Sequence, residues 1–325
     1  MRFFKSAVSI AFWTMLAFAA CQPARAQSFP DRPVHLIVPY GPGGITDFAG
    51  RTVGQKLGEA LGATVVVENK PGAGGIVGVD YVAHAAPDGY YMAIMDPAVV
   101  INPTLQKSMP YDIFKDLVTL SVICSSPEVL VVSPQLGIKT YAELVTYGKA
   151  NPGKLNYASA GVGTTPHLAA EMWKMRTGID AVHVPYKGIG ASYTDMMSGK
   201  IQMSFSSIAG ALPFTSKGSV IPLATTGTVR SPVYPDLPTV AEAGLPGYSV
   251  DLWLALYGTA GTPPDVLAKL NAGIVKALQD DQLKAAFAKF GLTPRGTSLD
   301  GSAAFTKTEY EKWKKVITDG HITLD

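Results

Sequence analysis

Two glycine loops carry the residues best suited to chemistry in this 325-residue chain. The first reads Val38-Pro39-Tyr40-Gly41-Pro42-Gly43-Gly44-Ile45-Thr46-Asp47 and joins an apolar run to a helix-period segment. Backbone N–H groups at a helix start lack intrahelical partners and lie at the positive end of the helix dipole, so such a loop favours an anion. Gly43 and Gly44 let a ligand approach the backbone closely. Thr46 or Asp47 can cap the helix. A tight strand-to-helix turn with no ligand satisfies the same residues. The Lys-Ser/Thr pair of a P-loop is absent, and the G-x-G-x-x-G spacing is not met. Asp47 would repel a phosphate, so a single carboxylate held by neutral donors fits better.

The second loop is Ser159-Ala160-Gly161-Val162-Gly163-Thr164-Thr165-Pro166-His167. It offers hydroxyls and glycines, again between a strand-like run and a helix. His167 could bond a ligand or serve the first turn of its helix. Pro71–Gly75 and Asp96-Pro97 are further turns that could line a cleft or simply reverse the chain. Enzyme signatures are missing: there is no G-x-S-x-G elbow and no H-E-x-x-H. His35, His84, His167, His183 and His321 show no metal-ligand spacing. No catalytic residue, metal or cofactor is expected.

The elements that must position these loops alternate. Val34–Val38, Thr64–Val67 and Tyr91–Met95 read as strands, with helical periodicity over Asp47–Leu61 and from Ile76 to Ala86 between them. That order predicts a parallel sheet with helices on both faces. A second unit starts near residue 126. Its strands are Val129–Val132, Leu155–Ala158, Ala181–Val184, Ile201–Phe205 and Val220–Thr225. Thr140 and Glu143 form a capping box, and further helices run Pro166–Arg176 and Ser192–Ser198. After another strand, Val250–Tyr257, helices begin at Pro264, Gln282 and Gly301. Chain crossings near 125 and 250 predict two α/β lobes, 27–125 plus 251–325 and 126–250, with a hinged cleft between them. The loops would then face one another at the carboxyl ends of strands, where open α/β sheets bind ligands.

Composition agrees with a folded, exported protein. Charged residues are 16% of the chain, and its 33 Gly and 24 Pro are spread between apolar runs as turn residues, not gathered into a disordered tract. Residues 1–26 read as a secretory signal: Arg2 and Lys5 precede the apolar run Ser6–Ala20, and Ala24-Arg25-Ala26 is a small-x-small cleavage site. Removing its three cations turns the net charge of +2 into −1, which gives no footing for nucleic acid. Phe18-Ala19-Ala20-Cys21 also resembles a lipoprotein box, whose use would anchor the chain at Cys21. After the Ala26 cut only Cys124 remains, and it reads as a small buried hydrophobe.

Several stretches together resemble a known family. They are Pro30–Arg51, Val67–Gly75, Asp88–Tyr91, Asn102-Pro103-Thr104-Leu105, Ser159–Glu171, Val184–Gly188 and Tyr234–Gly247. In this order they are similar to the Bug family, the solute-binding receptors of tripartite tricarboxylate transporters. The resemblance implies a two-lobe periplasmic-binding-protein fold, type II-like, that closes on a small carboxylate and presents it to membrane permease subunits. It implies a periplasmic monomer and no enzymatic activity. Carried over, the binding positions are Tyr40, Gly43, Gly44, Thr46 and Asp47 in the first loop. In the second they are Ser159, Gly161, Gly163, Thr164, Thr165 and His167. Phe205, Ser206 and Ser207 match a cleft position at a strand end.

At that strand end the chain departs from the family pattern. Phe205-Ser206-Ser207 stands where the family often has Phe-Asp-Asn. Replacing the acid by hydroxyl donors suits a second carboxylate at the far end of the ligand. Tyr40, where Phe is common, could clamp a flat ring with Phe205. An aromatic dicarboxylate such as terephthalate and a C4–C6 aliphatic dicarboxylate are therefore both candidates. Docking on a sensor kinase is a second reading, and an exported hydrolase a third.

Overall fold

The computed structural model describes residues 29–324. The segment read as a secretory signal, with Cys21 and both candidate cleavage sites, lies outside these residues. The short piece Phe29–Arg32 contains a cis Phe29–Pro30 peptide bond and is separate from the compact unit that starts at Pro33.

The compact unit opens with three parallel strands, β1 (Val34–Val38), β2 (Val65–Asn69) and β3 (Tyr91–Met95). The connecting helices α1 (Ile45–Leu61) and α2 (Ile76–Ala83) are the expected crossovers. Helix α1 buries Ala49, Val53 and Leu57 on one face. Gly54 lies against the strands, where an added Cβ would meet Val67 Cγ2 at 2.9 Å. Gly62 ends the helix in the left-handed conformation. A third short helix, α3 (Ala98–Leu105), follows β3 directly and had no counterpart in the sequence reading.

A 16-residue strand, β4 (Leu117–Val132), then crosses the molecule. The sequence alone shows only its last part, Val129–Val132, as a strand of a unit that starts near residue 126. Beyond it, β5 (Leu155–Ser159), β6 (Ala181–Pro185) and β7 (Met203–Ser207) form a second parallel group. Helix α4 (Tyr141–Ala150) leads from β4 into β5, and α5 (Thr165–Thr177) and the short α6 (Tyr193–Met197) link β5 to β6 and β6 to β7. The capping box of Thr140 and Glu143 opens α4 as expected. After β7 come α7 (Ile208–Thr215) and β8 (Ile221–Thr225).

The two parallel groups are joined through antiparallel pairings. Strand β9 (Asp251–Thr259) lies between β3 and β4, and the sheet order is β2-β1-β3-β9-β4-β7-β5-β6. The first part of β4 pairs β9, and Glu128 to Val132 pairs β7. The β4–β9 register shifts twice, between Thr119 and Ser121 and between Val122 and Cys124. Such bulges bend and twist a strand. Helices α8 (Pro264–Ala277), α9 (Asp281–Ala288) and α10 (Leu299–Asp319) complete the chain, with the strand-like β10 (Thr293–Pro294) pairing β4.

Trp173, Trp253 and Trp313 are fully buried, and Cys124 is a buried free thiol. Among the described residues no helix is long and apolar enough to cross a membrane.

Candidate functional site

Helix α1 starts at the first glycine loop with Gly44 as its N-cap, and no side chain caps it. The loop is held from inside the helix instead. Asp47, the third helical residue, accepts the Gly43 N–H at 3.0 Å. The same carboxylate takes Arg51 Nε at 3.1 Å and Asn69 Nδ2 at 2.8 Å. The hydrogen bond from Arg51, helped by those from Gly43 and Asn69, holds its carboxyl at about 2, well below the usual carboxylate range. Asp47 therefore anchors the loop, and its lone pairs are occupied by the protein. Thr46 is buried beside it. Gly43 has φ +91°, a conformation that favours glycine.

Just before the loop, Tyr40 donates its hydroxyl to Asp96 Oδ1 at 2.9 Å. Asn69 also binds the Tyr40 carbonyl at 3.0 Å. Burial raises the Asp96 carboxyl. This chain of contacts ties the ends of β1, β2 and β3 together.

Helix α5 repeats the arrangement with different chemistry. Thr164 is its N-cap, again without a side-chain cap bond. The Thr164 hydroxyl turns back to the Gly161 carbonyl at 2.7 Å. His167, third in the helix, accepts the Gly163 N–H on Nδ1 at 3.1 Å. That bond requires an unprotonated Nδ1. Burial and the neighbouring His183 lower the His167 imidazole to about 3. The His167 and His183 rings stack at 4.0 Å, and the Tyr157 ring lies 4.9 Å from His183 and 6.3 Å from His167. Ser159 meets His183 Nε2 at 2.6 Å and receives the Gly161 N–H at 3.0 Å. Both Ser159 and His167 are thus buried supports beneath the loop.

Thr140, Asp280 and Ser298 cap α4, α9 and α10 with side chains, whereas α8, like α1 and α5, has no side-chain cap. The missing caps on α1 and α5 leave helix-terminal donors for another partner.

Two cavities lie along the β4–β9 seam. One, of 510 Å³, is lined by Gly43, Gly44, Asp47 and the side chains of Phe48 and Phe290. The other, of 460 Å³, is lined by Tyr40 and Asp96 on one side and Gly163, Thr164, Thr165 and Pro166 on another. Ser207 and Leu252 belong to both walls. The sequence reading had both loops facing one cleft. In the structure the first loop's glycines line one cavity and the second loop lines its neighbour. Tyr40, at the end of β1, reaches the second. The Pro71–Gly75 turn contributes Ala73 and Gly74 to that cavity.

Phe205 and Ser206 line neither cavity. Phe205 is fully buried in the core, its ring 6.1 Å from Tyr248. Ser206 lies on the opposite sheet face from Ser207, because strand side chains alternate, and it bonds Ser204. A ring clamp between Tyr40 and Phe205 is therefore replaced by a wall in which Ser207 alone represents that strand end. Ser207 accepts the Gly210 N–H as the cap of α7, which leaves its own hydrogen as a donor.

The sequence reading missed Glu128, Asn102 and Leu252, which all line the second cavity. Glu128 opens the segment of β4 that pairs β7, directly across from Ser207. A lone Glu after Pro127 carries no sequence signal of burial. Its carboxyl is pushed up to about 8 by burial and by the charge of Asp251. Among the described residues, no group of three or more His, Cys, Asp or Glu side chains could hold a metal ion.

Comparison with known proteins places this geometry. Residues 49–322 match the family model described as "Tripartite tricarboxylate transporter family receptor". BugT of Bordetella pertussis is 34% identical over 91% of this chain and 92% of its own length. The solved R. palustris Rpa4515 with adipate is 31% identical with a TM-score of 0.77, covering 91% of this chain and 99% of that one. MatC of Rhodopseudomonas palustris with bound malate is 29% identical with a TM-score of 0.73, covering 89% and 100%.

Proposed function

The chain belongs to the tripartite tricarboxylate transporter receptor family, a family of solute-binding receptors and not of enzymes, and from that premise we propose that it captures a small aliphatic dicarboxylate in the periplasm for delivery to a membrane permease. The second cavity is the binding site in this reading. The observation that carries it is the uncapped start of α5, with Gly163, Thr164 and Thr165 on the wall of a cavity that Tyr40 reaches from β1. Helix-terminal N–H groups are neutral donors suited to a carboxylate, and Thr165 adds a hydroxyl on the same wall. Adipate and malate, bound by the two similar proteins above, are C6 and C4 members of the same class.

The binding residues proposed here are Tyr40, Gly163, Thr164, Thr165 and Ser207 on the second cavity, with Gly43 and Gly44 from the first cavity, which shares the Ser207 and Leu252 walls. Thr46, Asp47, Ser159, Gly161 and His167 hold the loops. An aliphatic chain is favoured over an aromatic ring because Phe205 is packed in the core and offers no second face for stacking. The lobes 27–125 plus 251–325 and 126–250 would close about β4 and β9, with the bulged part of β4 as the place that bends.

The test is a thermal-shift screen of the chain from Gln27 against mono-, di- and tricarboxylates, followed by calorimetry. At a hundredfold excess over Kd a ligand stabilises by about 2.7 kcal/mol, a shift of several degrees. A response confined to C4–C6 dicarboxylates is expected. A response to aromatic dicarboxylates alone would replace the aliphatic assignment, and none to any carboxylate would reject the reading.

A further inference from the structure

We propose that Glu128 is a ligand contact, its carboxylic acid O–H donating to a carboxylate oxygen of the captured solute from the wall of the second cavity. The inference rests on the carboxylate reading above and assigns that site a further residue.

Three observations carry it. Glu128 lines the cavity although only 2% of its surface is exposed. Its Oε2 atom is buried with no hydrogen-bond partner in the protein. The Glu128 main chain, by contrast, is fully engaged: its N–H and carbonyl both bond Thr226. A buried polar atom without a partner costs about 1–3 kcal/mol, and a ligand oxygen that reaches the carboxyl as the lobes close would supply the partner. Glu128 also pairs in register with Ser207, so both point to the same sheet face. A ligand end lying there meets two hydroxyl donors side by side.

The neighbours decide which form of the acid is present. Asp251 on β9 adds like charge, and Tyr193 and Tyr248 are the other titratable groups that feel Glu128. The cations Lys312 and Arg295 act on Asp251, as does the acid Glu309. Across the cavity Asp96 is bonded to Tyr40. With no cation acting on it, and with burial raising it to about 8, Glu128 is a neutral acid at neutral pH. In that form it holds one O–H to donate. Ionised, it would repel the ligand it lines the wall for. This resolves the sequence departure at Ser206-Ser207: the acid absent from β7 is present on the adjacent strand, in a state that donates.

The sign of the pH dependence follows. Binding uses the protonated form, which is full below about pH 7 and is lost as pH rises past about 8. Affinity for a doubly ionised ligand should then fall about tenfold per pH unit, one proton per ligand. Tyr193 is raised to about 12 and Tyr248 well above its ordinary value, so neither titrates in that window.

The experiment is calorimetry of the chain from Gln27 with adipate and with succinate, from about pH 6.5 to about pH 9.5. Wild type should hold its affinity to about pH 7.5 and then weaken. Glu128→Gln, which keeps a neutral donor, should bind within about threefold at the lowest pH and show no alkaline fall. Asp251→Asn should move the fall to lower pH, because the charge that raises Glu128 is gone. A flat wild-type profile, or a fall that persists in Glu128→Gln, overturns the assignment. Affinity that rises with pH overturns it too and makes Glu128 an acceptor for a cationic ligand group. If neither probe nor any other carboxylate binds wild type at any pH, the carboxylate reading itself has failed and this inference falls with it.

Discussion

The first glycine loop is held by a carboxylate and the second by an imidazole. In both, the third residue of the helix accepts the N–H of the glycine just before the N-cap, Gly43 to Asp47 and Gly163 to His167. Either acceptor frees the helix start from needing a side-chain cap, since neither helix has one. The acceptors differ in how they are supported. Asp47 is ionised and shares its charge with Arg51 and Asn69 at the half-exposed edge of β2. His167 is neutral and buried in a stack with His183 and Tyr157. A loop can be shaped by a charged anchor only where that charge has partners. Beneath the second loop the partner is an aromatic stack, so the anchor must be neutral.

The largest break in this parallel should come from the glycines themselves. Gly163 has φ +78°, and a Cβ there would meet Leu105 Cδ1 at 2.5 Å; Gly43 has φ +91° and nothing within 4 Å. Gly163→Ala adds overpacking to backbone strain and should weaken dicarboxylate binding by about 100-fold. Gly43→Ala meets strain alone and should cost about tenfold or less. Calorimetric Kd values for the two variants test the order. Equal losses would show that packing against Leu105 does not shape the second loop.

Next is the charged anchor. Asp47→Ala removes the acceptor for Gly43, Arg51 and Asn69, and should lower stability by about 1.5–3 kcal/mol. Urea denaturation with an unchanged m-value would confirm a loss of stability and not of compactness. His167→Asn keeps an acceptor near the Nδ1 position and should change binding by less than about 1 kcal/mol.

The sharpest difference is in acid. His167 is lowered to about 3 in the fold. Between its ordinary value near 6.5 and that pH, the unfolded chain holds a proton that the folded imidazole refuses. Stability from this group is therefore full above about pH 6.5 and is lost as pH falls, by at most about 1.4 kcal/mol per unit. His183 is lowered in the same direction. Asp47 behaves differently: its contribution is full above 3.8 and is lost only as pH falls toward about 2. Melting temperatures from pH 7 down to about pH 4.5 should thus report the second loop and not the first, and His167→Asn should flatten part of the decline. An unchanged slope in that variant would mean that the acid response lies elsewhere.

Much of this arrangement was legible from residue order. Both glycine loops stand at strand-to-helix junctions, and Gly43, Gly161 and Gly163 do take positive φ. The Thr140–Glu143 capping box forms as its spacing requires. These are local facts, set by backbone conformation and bonds spanning a few residues. Strand β4 was not legible as one piece, because Ser125-Ser126-Pro127 has the composition of a turn. Pro127 is tolerated there opposite Asp251, where the strand leaves β9 and takes up β7. The roles of Asp47 and His167 stayed open in the sequence, which allows each a place at its helix start or on a ligand and offers no means to tell an acceptor for a ligand from an acceptor for its own loop.

The sequence by itself determined the alternation of strands and helices, the two glycine loops and, through the order of its motifs, the family. Those features depend on periodicity and on dihedral preferences carried within short windows. Only the tertiary structure decided which side chains face a cavity. It sent Phe205 into the core and Ser206 to the far face, and it brought Glu128, 79 positions earlier in the chain, beside Ser207. Burial, and with it the protonation of Glu128, follows from what packs on every side of a residue. That information is distributed over the whole chain and belongs to no local pattern.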